Sequence, residues 1–158
     1  IQALYLLGRK VLLQRGKPLK AFIREILGFC RNHGVRSGNV HKHRMNKFLR
    51  PLRRSVINWQ RYTLKIGLKA RKNRDMIGSA SFDYLMYSGY VTMAYFWAMM
   101  AQKANEKIAE KPENIEFYRA KFRTAEFYFD RILPRTKVLA KTMMADPASL
   151  MRITSEQF

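Results

Sequence analysis

Two groups of side chains in this 158-residue chain have the types and spacing to do chemistry. The first is Cys30, His33, His41 and His43, a Cys-x-x-His followed by a His-x-His. Thiolate and imidazole are both ligands for a borderline-soft ion such as zinc. The spacing matches no zinc module, so the residues read as linker histidines in a basic loop and no metal is expected. The second is Glu126 and Asp130, one helical turn apart and so placed to act as acid and base. Arg119, Arg123 and Lys137 fall on the same face, which makes a solvated ion-pair ladder the better reading. Neither group yields a catalytic residue. No histidine lies beyond position 43, so the Glu-x-x-His pairs of a di-iron bundle are absent, as are a P-loop and a GxGxxG fingerprint.

A third segment is built to bind rather than to react. Arg50 to Arg74 interleaves Arg50, Arg53, Arg54, Arg61, Lys65, Lys69 and Lys72 with Trp59 and Tyr62. Three readings suit that composition: a solvated face of a bundle, a contact with an anionic membrane surface, or a nucleic-acid contact. Nucleic acid is the least favoured, because no recognised module accompanies the segment and Trp59 falls on its apolar stripe.

The elements that must position these groups are all helices. Strand-type alternation bounded by tight-turn dipeptides is missing, so the chain reads as all-α. Ile1 to Gln14 has apolar residues at helical spacing and runs into Gly16, a stop; Pro18 opens a second helix that lines up Leu19, Phe22, Ile23, Ile26, Leu27 and Cys30. Residues 33–43 are small, polar and aperiodic and read as a linker. Beyond them Met45, Leu49, Leu52, Val56, Trp59, Thr63, Ile66 and Ala70 form one stripe of a long helix, with Pro51 at its start or at a kink. Asn73 to Ser81 reads as the next turn, with Ser81 as the cap of a helix whose stretch from Tyr84 to Gln102 carries no charge. Four tyrosines, Ser88, Gly89 and Thr92 make that stretch a central core helix rather than a membrane span.

Asn105 to Asn114 is a charged connector. The last long helix repeats Ile115, Tyr118, Phe122, Ala125, Phe129, Ile132, Thr136, Leu139 and Met143 at bundle spacing, with Pro134 predicted to kink or break it. The expected architecture is an antiparallel bundle of three long helices with two shorter N-terminal ones. The expected organisation is residues 1–32 as two helices, 33–43 as linker, 44–145 as the main bundle and 146–158 as tail.

Charge and cysteine content narrow the setting. Of 31 lysines and arginines, 20 lie in residues 1–74 beside a single acid, Glu25, whereas residues 75–158 hold 11 bases and 10 acids. A one-signed half of this kind attracts anions: phosphates, acidic lipid or an acidic protein. Cys30 is the only cysteine, so no intrachain disulfide forms and a reducing compartment fits. The chain opens at Ile1, its first residues already read as helix, and no signal-peptide pattern is present; a piece of a longer protein is expected.

Three stretches carry a family resemblance. IQALYLLGRKVL (1–12), DYLMYSGYVTMAYFWAMMAQKA (83–104) and FYRAKFRTAEFYFDRILPRT (117–136) resemble the C-terminal part of the large bacterial acyl-CoA dehydrogenases that carry an extra helical domain. The resemblance covers residues 1–30 and 76–145 and is weaker through the linker and the basic helix. In that family a Tyr-Glu-Gly-Thr segment precedes the Ile-Gln that matches Ile1 and Gln2, and its glutamate removes the α-proton of a fatty acyl thioester while the flavin takes the β-hydrogen as hydride.

The resemblance therefore implies a parent enzyme of β-oxidation that holds FAD, with the catalytic base upstream of Ile1. This stretch alone would hold no flavin and would be inactive. Gln2 would lie near the flavin or the thioester, and the rest would pack on the dehydrogenase body and help shape a homodimer that meets an electron-transfer acceptor. The implied location is the cytoplasm, at the periphery of the inner membrane. The alternative is a free-standing basic bundle that binds anionic membrane or nucleic acid. The density of cations between Lys42 and Arg74 exceeds what the family leads one to expect, and it favours an anionic contact through Arg50, Arg53, Arg54, Arg61, Lys65, Lys69 and Lys72.

Overall fold

The computed structural model of the chain describes residues 1–34 and 40–157, with the side chains of residues 40–43, 151 and 155 left aside. Every regular element among the described residues is helical, and no strand occurs there. A short α1 (Gln2–Leu4) passes directly into a π-helical stretch (Tyr5–Leu12). Four longer elements follow: α2 (Lys17–His33), α3 (Val40–Ala70), α4 (Asp75–Ala109) and α5 (Ile115–Phe127). After α5 come a π-turn (Tyr128–Ile132), a 3-10 turn (Leu133–Arg135), α6 (Thr136–Thr142) and the short α7 (Ala148–Met151).

Side-chain contacts set the directions. Phe22 meets Trp59 while Cys30 reaches the Leu49 carbonyl, so α2 and α3 are antiparallel. Thr63 meets Tyr84 and Ser55 meets Tyr87, so α3 and α4 are antiparallel too. Phe48 touches Phe122 and Phe129 whereas Lys69 reaches Met144, so α3 runs parallel to the α5–α6 arm on its other side. The result is an antiparallel bundle with α4 at its centre, consistent with short connections between long amphipathic helices.

The core follows the apolar stripes. Met45, Leu49, Leu52, Val56, Trp59, Thr63 and Ile66 are buried from α3, and Leu19, Ile23, Ile26 and Cys30 from α2. Phe122, Ala125, Phe129, Leu133, Thr136 and Met143 complete it from the last arm. Each fully buried Leu, Ile, Val or Phe contributes about 1.5–3 kcal/mol relative to exposure. Two of the tyrosine hydroxyls inside are paired with backbone: that of Tyr87 donates to Ser55 O at 2.9 Å and that of Tyr128 to Tyr90 O at 2.9 Å.

Several local expectations change. Of the stretch read as linker, 33–43, His33 closes α2 and residues from Val40 onward belong to α3, while 35–39 lie outside the described residues. The turn before α4 ends at Arg74, and Ser81 is a buried mid-helix residue whose hydroxyl donates to Gly78 O at 2.9 Å. The real cap comes from Asn73, whose Oδ1 accepts the Asp75 N–H at 2.9 Å. Gly78 did not end the helix because a single interior glycine costs only about 1 kcal/mol, less than tertiary packing returns. At its far end α4 runs on to Ala109, through the first half of the stretch read as a connector.

Pro134 acts as its chemistry predicts. Lacking an N–H, it leaves the chain without the donor for the Asp130 carbonyl, and the backbone widens so that Leu133 N–H bonds Tyr128 O before α6 restarts. The same widening at the N-terminus, with Leu13 N–H on Gly8 O at 2.9 Å, has no proline behind it. The turn that follows closes at Gly16, φ 70°, a left-handed conformation that glycine adopts without strain.

Candidate functional site: a cationic face and groove on α3

The candidate catalytic pairs dissolve on folding. Cys30 is buried and its Sγ–H donates to the Leu49 carbonyl at 3.9 Å; burial pushes the thiol up to about 11, a rise that Arg53 partly offsets. The His33 ring lies 4.7 Å from the Phe29 ring, and the side chains of His41 and His43 fall outside the described residues. Glu126 does not pair within its own helix, as the ladder reading had it. Its partner is Lys47 of α3, a bridge across the bundle, while Arg119 pairs with Glu116. A spacing argument sees neighbours on one helix and misses a lysine brought in by tertiary packing.

What remains is α3. Its buried stripe leaves the opposite side to solvent, and Arg50, Arg53, Arg54, Arg61, Lys65 and Lys69 are exposed there, with Lys72 exposed in the turn that follows. Among the described residues the ion pairs are Lys47–Glu126, Lys103–Glu106, Lys107–Glu110 and Arg119–Glu116, so none of those seven cations is neutralised by a carboxylate. Lys69 is tied down in another way, its Nζ donating to Met144 O at 3.1 Å near the end of α6. Two leucines share this face, Leu64 at 57% and Leu68 at 60% exposure. Nearby, Leu12 packs against Gly67, where an added Cβ would come within 3.3 Å of it, so the end of the N-terminal helix lies beside the same part of α3.

Arg50 and Arg54 also belong to a groove. A cavity of about 450 Å³ opens between α3 and the broken arm, lined on one wall by Arg50, Pro51, Arg54, Ser55, Asn58 and Tyr62. The other wall includes Phe129, Leu133, Pro134, Thr136, Lys137 and Ala140, with Tyr87 of α4 at the base. Pro51 and Pro134 face one another across this space, one in the interior of α3 and the other between the π-turn and α6. Gln2 stands apart, exposed at the N-terminus. Sequence reasoning did not single out Asn58 or Tyr62 for the groove, and placed Lys137 on an ion-pair ladder. The i, i+4 row Arg50, Arg54, Asn58, Tyr62 and the two prolines were the available signals.

The helix expected to be wholly internal also has an open side. α4 buries Tyr84, Tyr87, Val91, Ala94 and Ala98, yet Phe82, Met86, Met93, Phe96 and Met100 are exposed, Phe82 at 64% and Met93 and Phe96 at 47%. With the exposed Gly89 they recur at alternating intervals of four and three, one stripe opposite the buried face. Over 82–100 it is about 27 Å long at 1.5 Å per residue.

Comparison with known families decides what this bundle is. The family model described as acetyl-CoA dehydrogenase C-terminal like matches residues 22–154, most of the chain. The chain belongs to that family. No curated protein matches the sequence. The family match runs through α3, where the motif resemblance was weak, so the basic helix is part of this C-terminal-like domain. None of the helices among the described residues is long and apolar enough to cross a membrane.

Proposed function

We propose that this chain is the scaffold and docking domain of a flavin-dependent acyl-CoA dehydrogenase of fatty acyl-CoA β-oxidation, with the catalytic base and the FAD site elsewhere in the parent protein. The observation that carries this reading, given the family, is the stripe of Phe82, Met86, Met93, Phe96 and Met100 on α4. Contiguous exposed apolar surface of this kind belongs to an interface. Its occupant is the dehydrogenase body of the same enzyme, beside which α1 and Gln2 would lie, near the flavin or thioester. The assembled enzyme would be a homodimer that passes electrons to an acceptor protein.

The test uses the parent enzyme. Phe96→Asp and Met93→Asp place charge on the stripe without touching the bundle core, so helicity of the isolated domain should persist while the parent loses bound flavin or dimer. Unchanged flavin content and assembly in both variants would refute the interface, and yellow flavin bound by residues 1–158 alone would refute the division of labour.

A second surface supports peripheral attachment at the cytoplasmic side of the inner membrane. Leu64 and Leu68 stand among Arg61, Lys65 and Lys72, a pattern of apolar residues rimmed by cations that suits an anionic bilayer surface. Nucleic acid is disfavoured because Trp59 is 5% exposed and offers no face for a base. Binding to anionic vesicles should be strong at low salt and fall as salt rises; absence of binding at low salt, or indifference to salt, would remove the electrostatic contact.

A further inference from the structure

The groove between α3 and the α5–α6 arm is a feature that the scaffold reading does not use. α3 and the arm meet through side chains, Phe48 on Phe122 and Phe129 near one end and Lys69 on the Met144 carbonyl near the other, and between those contacts each carries a proline. Pro51 removes a donor from α3, and Pro134 forces the π-turn and the 3-10 turn on the facing wall. The space so formed is about 450 Å³, the size of a small-molecule site, and it lies within one bundle rather than on a flat face.

The lining has a definite chemistry. Its charged residues are Arg50, Arg54 and Lys137, and no carboxylate lines it. Those three cations make no ion pair among the described residues. Arg50, Arg54, Asn58 and Tyr62 follow one another at four-residue steps, a row about 18 Å long on α3. Lys137 answers from the opposite wall, so positive charge borders the groove on both sides. Below lie buried Phe129 and Leu133 and the half-buried Ala140, with the Tyr62 and Tyr87 rings edge to face at 5.8 Å. Tyr87 is held by its bond to the Ser55 carbonyl and Thr136 by its bond to Leu133 O, so these hydroxyls are spoken for within the walls. The arginine forks, the lysine ammonium, the Asn58 amide and the Tyr62 phenol remain to recognise a ligand.

We infer that this groove is a binding site for a phosphate monoester carried on an apolar body. Guanidinium forks match phosphate oxygens bidentately, and a phosphate monoester near neutral pH carries about −1.5 to −2 charges, enough to engage more than one of the three cations. The apolar part lies on Phe129, Leu133 and Ala140. A carboxylate amphipath would meet the same forks with one charge and bind more weakly. The source of the phosphate can be a soluble ester or a phosphatidic-acid headgroup, and the chemistry of recognition is shared.

Calorimetric titration of the intact chain with hexyl phosphate, hexanoate and inorganic phosphate tests the site. Hexyl phosphate should bind at least tenfold more tightly than either of the others. Arg50→Gln with Arg54→Gln, and separately Lys137→Gln, should each weaken it at least fivefold, whereas Lys65→Gln with Lys72→Gln, on α3 and in the turn after it but outside the groove, should leave it within twofold. Helicity by circular dichroism confirms that each variant is folded, and Ala140→Trp gives an independent check by filling the groove without removing charge. Vesicles containing phosphatidic acid identify the source: binding that hexyl phosphate competes away and that the groove variants lose assigns the lipid, and vesicle binding unaffected by either assigns the soluble ester. Equal affinity for hexyl and inorganic phosphate, or groove variants that bind hexyl phosphate like the unaltered chain, would overturn the site.

Discussion

The pair Thr63 and Tyr84 at the α3–α4 contact gives the sharpest test of how the bundle is held. The two hydroxyl oxygens are 2.8 Å apart, and Tyr84 is 0% exposed. Thr63 Oγ1 also donates to the Trp59 carbonyl at 2.8 Å. A threonine has one hydroxyl proton and it is committed there, so the shared proton of the pair belongs to Tyr84, which donates to Thr63. The two halves of the pair are therefore unequal. Tyr84→Phe removes the donor and leaves Thr63 with its own proton still bonded; a typical net loss is about 1 kcal/mol. Thr63→Val keeps the shape but strands the Tyr84 O–H in the core without an acceptor, and an unsatisfied buried donor costs about 2–3 kcal/mol. The double variant removes both partners and should cost less than the sum of the two, a coupling of about 1–2 kcal/mol. Urea unfolding followed by circular dichroism reads these differences, and for a chain of this size each kcal/mol lowers Tm by about 2–4 °C. If Tyr84→Phe proves as damaging as Thr63→Val, or the two effects simply add, the donor assignment is wrong.

Burial pushes Tyr84 up to about 12 against an ordinary 10.0; on ionisation Thr63 can turn its proton from the Trp59 carbonyl to the phenolate, a smaller opposing influence. The Trp59 indole N–H opposes it slightly too; it meets no partner in good hydrogen-bond geometry but lies close to that hydroxyl. Burial likewise raises Tyr128 to about 12 and raises Tyr87 as well. Because the folded values are the raised ones, the unfolded chain ionises first; the stabilisation is whole below pH about 10 and is lost as pH climbs toward about 12. Phenolate absorbance should show exposed tyrosines titrating first and these three only with unfolding, and a smooth titration of all tyrosines near pH 10 would contradict their burial. Cys30, buried with its thiol raised to about 11, should react with a disulfide reagent at neutral pH only at the rate of local or global opening, so its rate should follow denaturant concentration. Gly16→Ala forces a side chain into φ 70° and should destabilise the chain by about 1 kcal/mol although no atom lies within 4 Å of the added Cβ; a neutral result would mean that the turn relaxes. The Lys47–Glu126 bridge joins half-exposed groups, so Glu126→Gln should change stability by under about 1 kcal/mol, and less in high salt.

Outside α4, residue spacing alone was enough to define the long helices and their inward faces. A four-three repeat such as Met45, Leu49, Leu52, Val56, Trp59 commits one side of a helix to the interior wherever its partners lie, because water excludes that side whatever the topology. The break at Pro134 was equally local, since a missing N–H is a property of the residue itself. The family was legible for a related reason: the aromatic runs on α4 and α5 that carry the resemblance include the core residues Tyr84, Tyr87, Tyr95 and Phe122. Helix ends were less legible. Asn73 rather than Ser81 caps α4 because packing continues the helix through Gly78, and a local signal competes poorly with buried contacts on the next turn.

Other features depend on what stands opposite. α4 is apolar nearly all round, and no pattern within it could say which side α2, α3 and α5 would cover and which would leave Phe82, Met93 and Phe96 in water. Glu126 found Lys47, and Arg50 and Arg54 came to face Lys137, across separations of about 80 residues that helical periodicity cannot span. The groove brings together residues distant in sequence, Pro51 and Arg54 on one wall and Pro134 and Lys137 on the other, a register that belongs to the packed bundle. A chain can declare its own faces, but a site shared between helices appears only when both have been brought together.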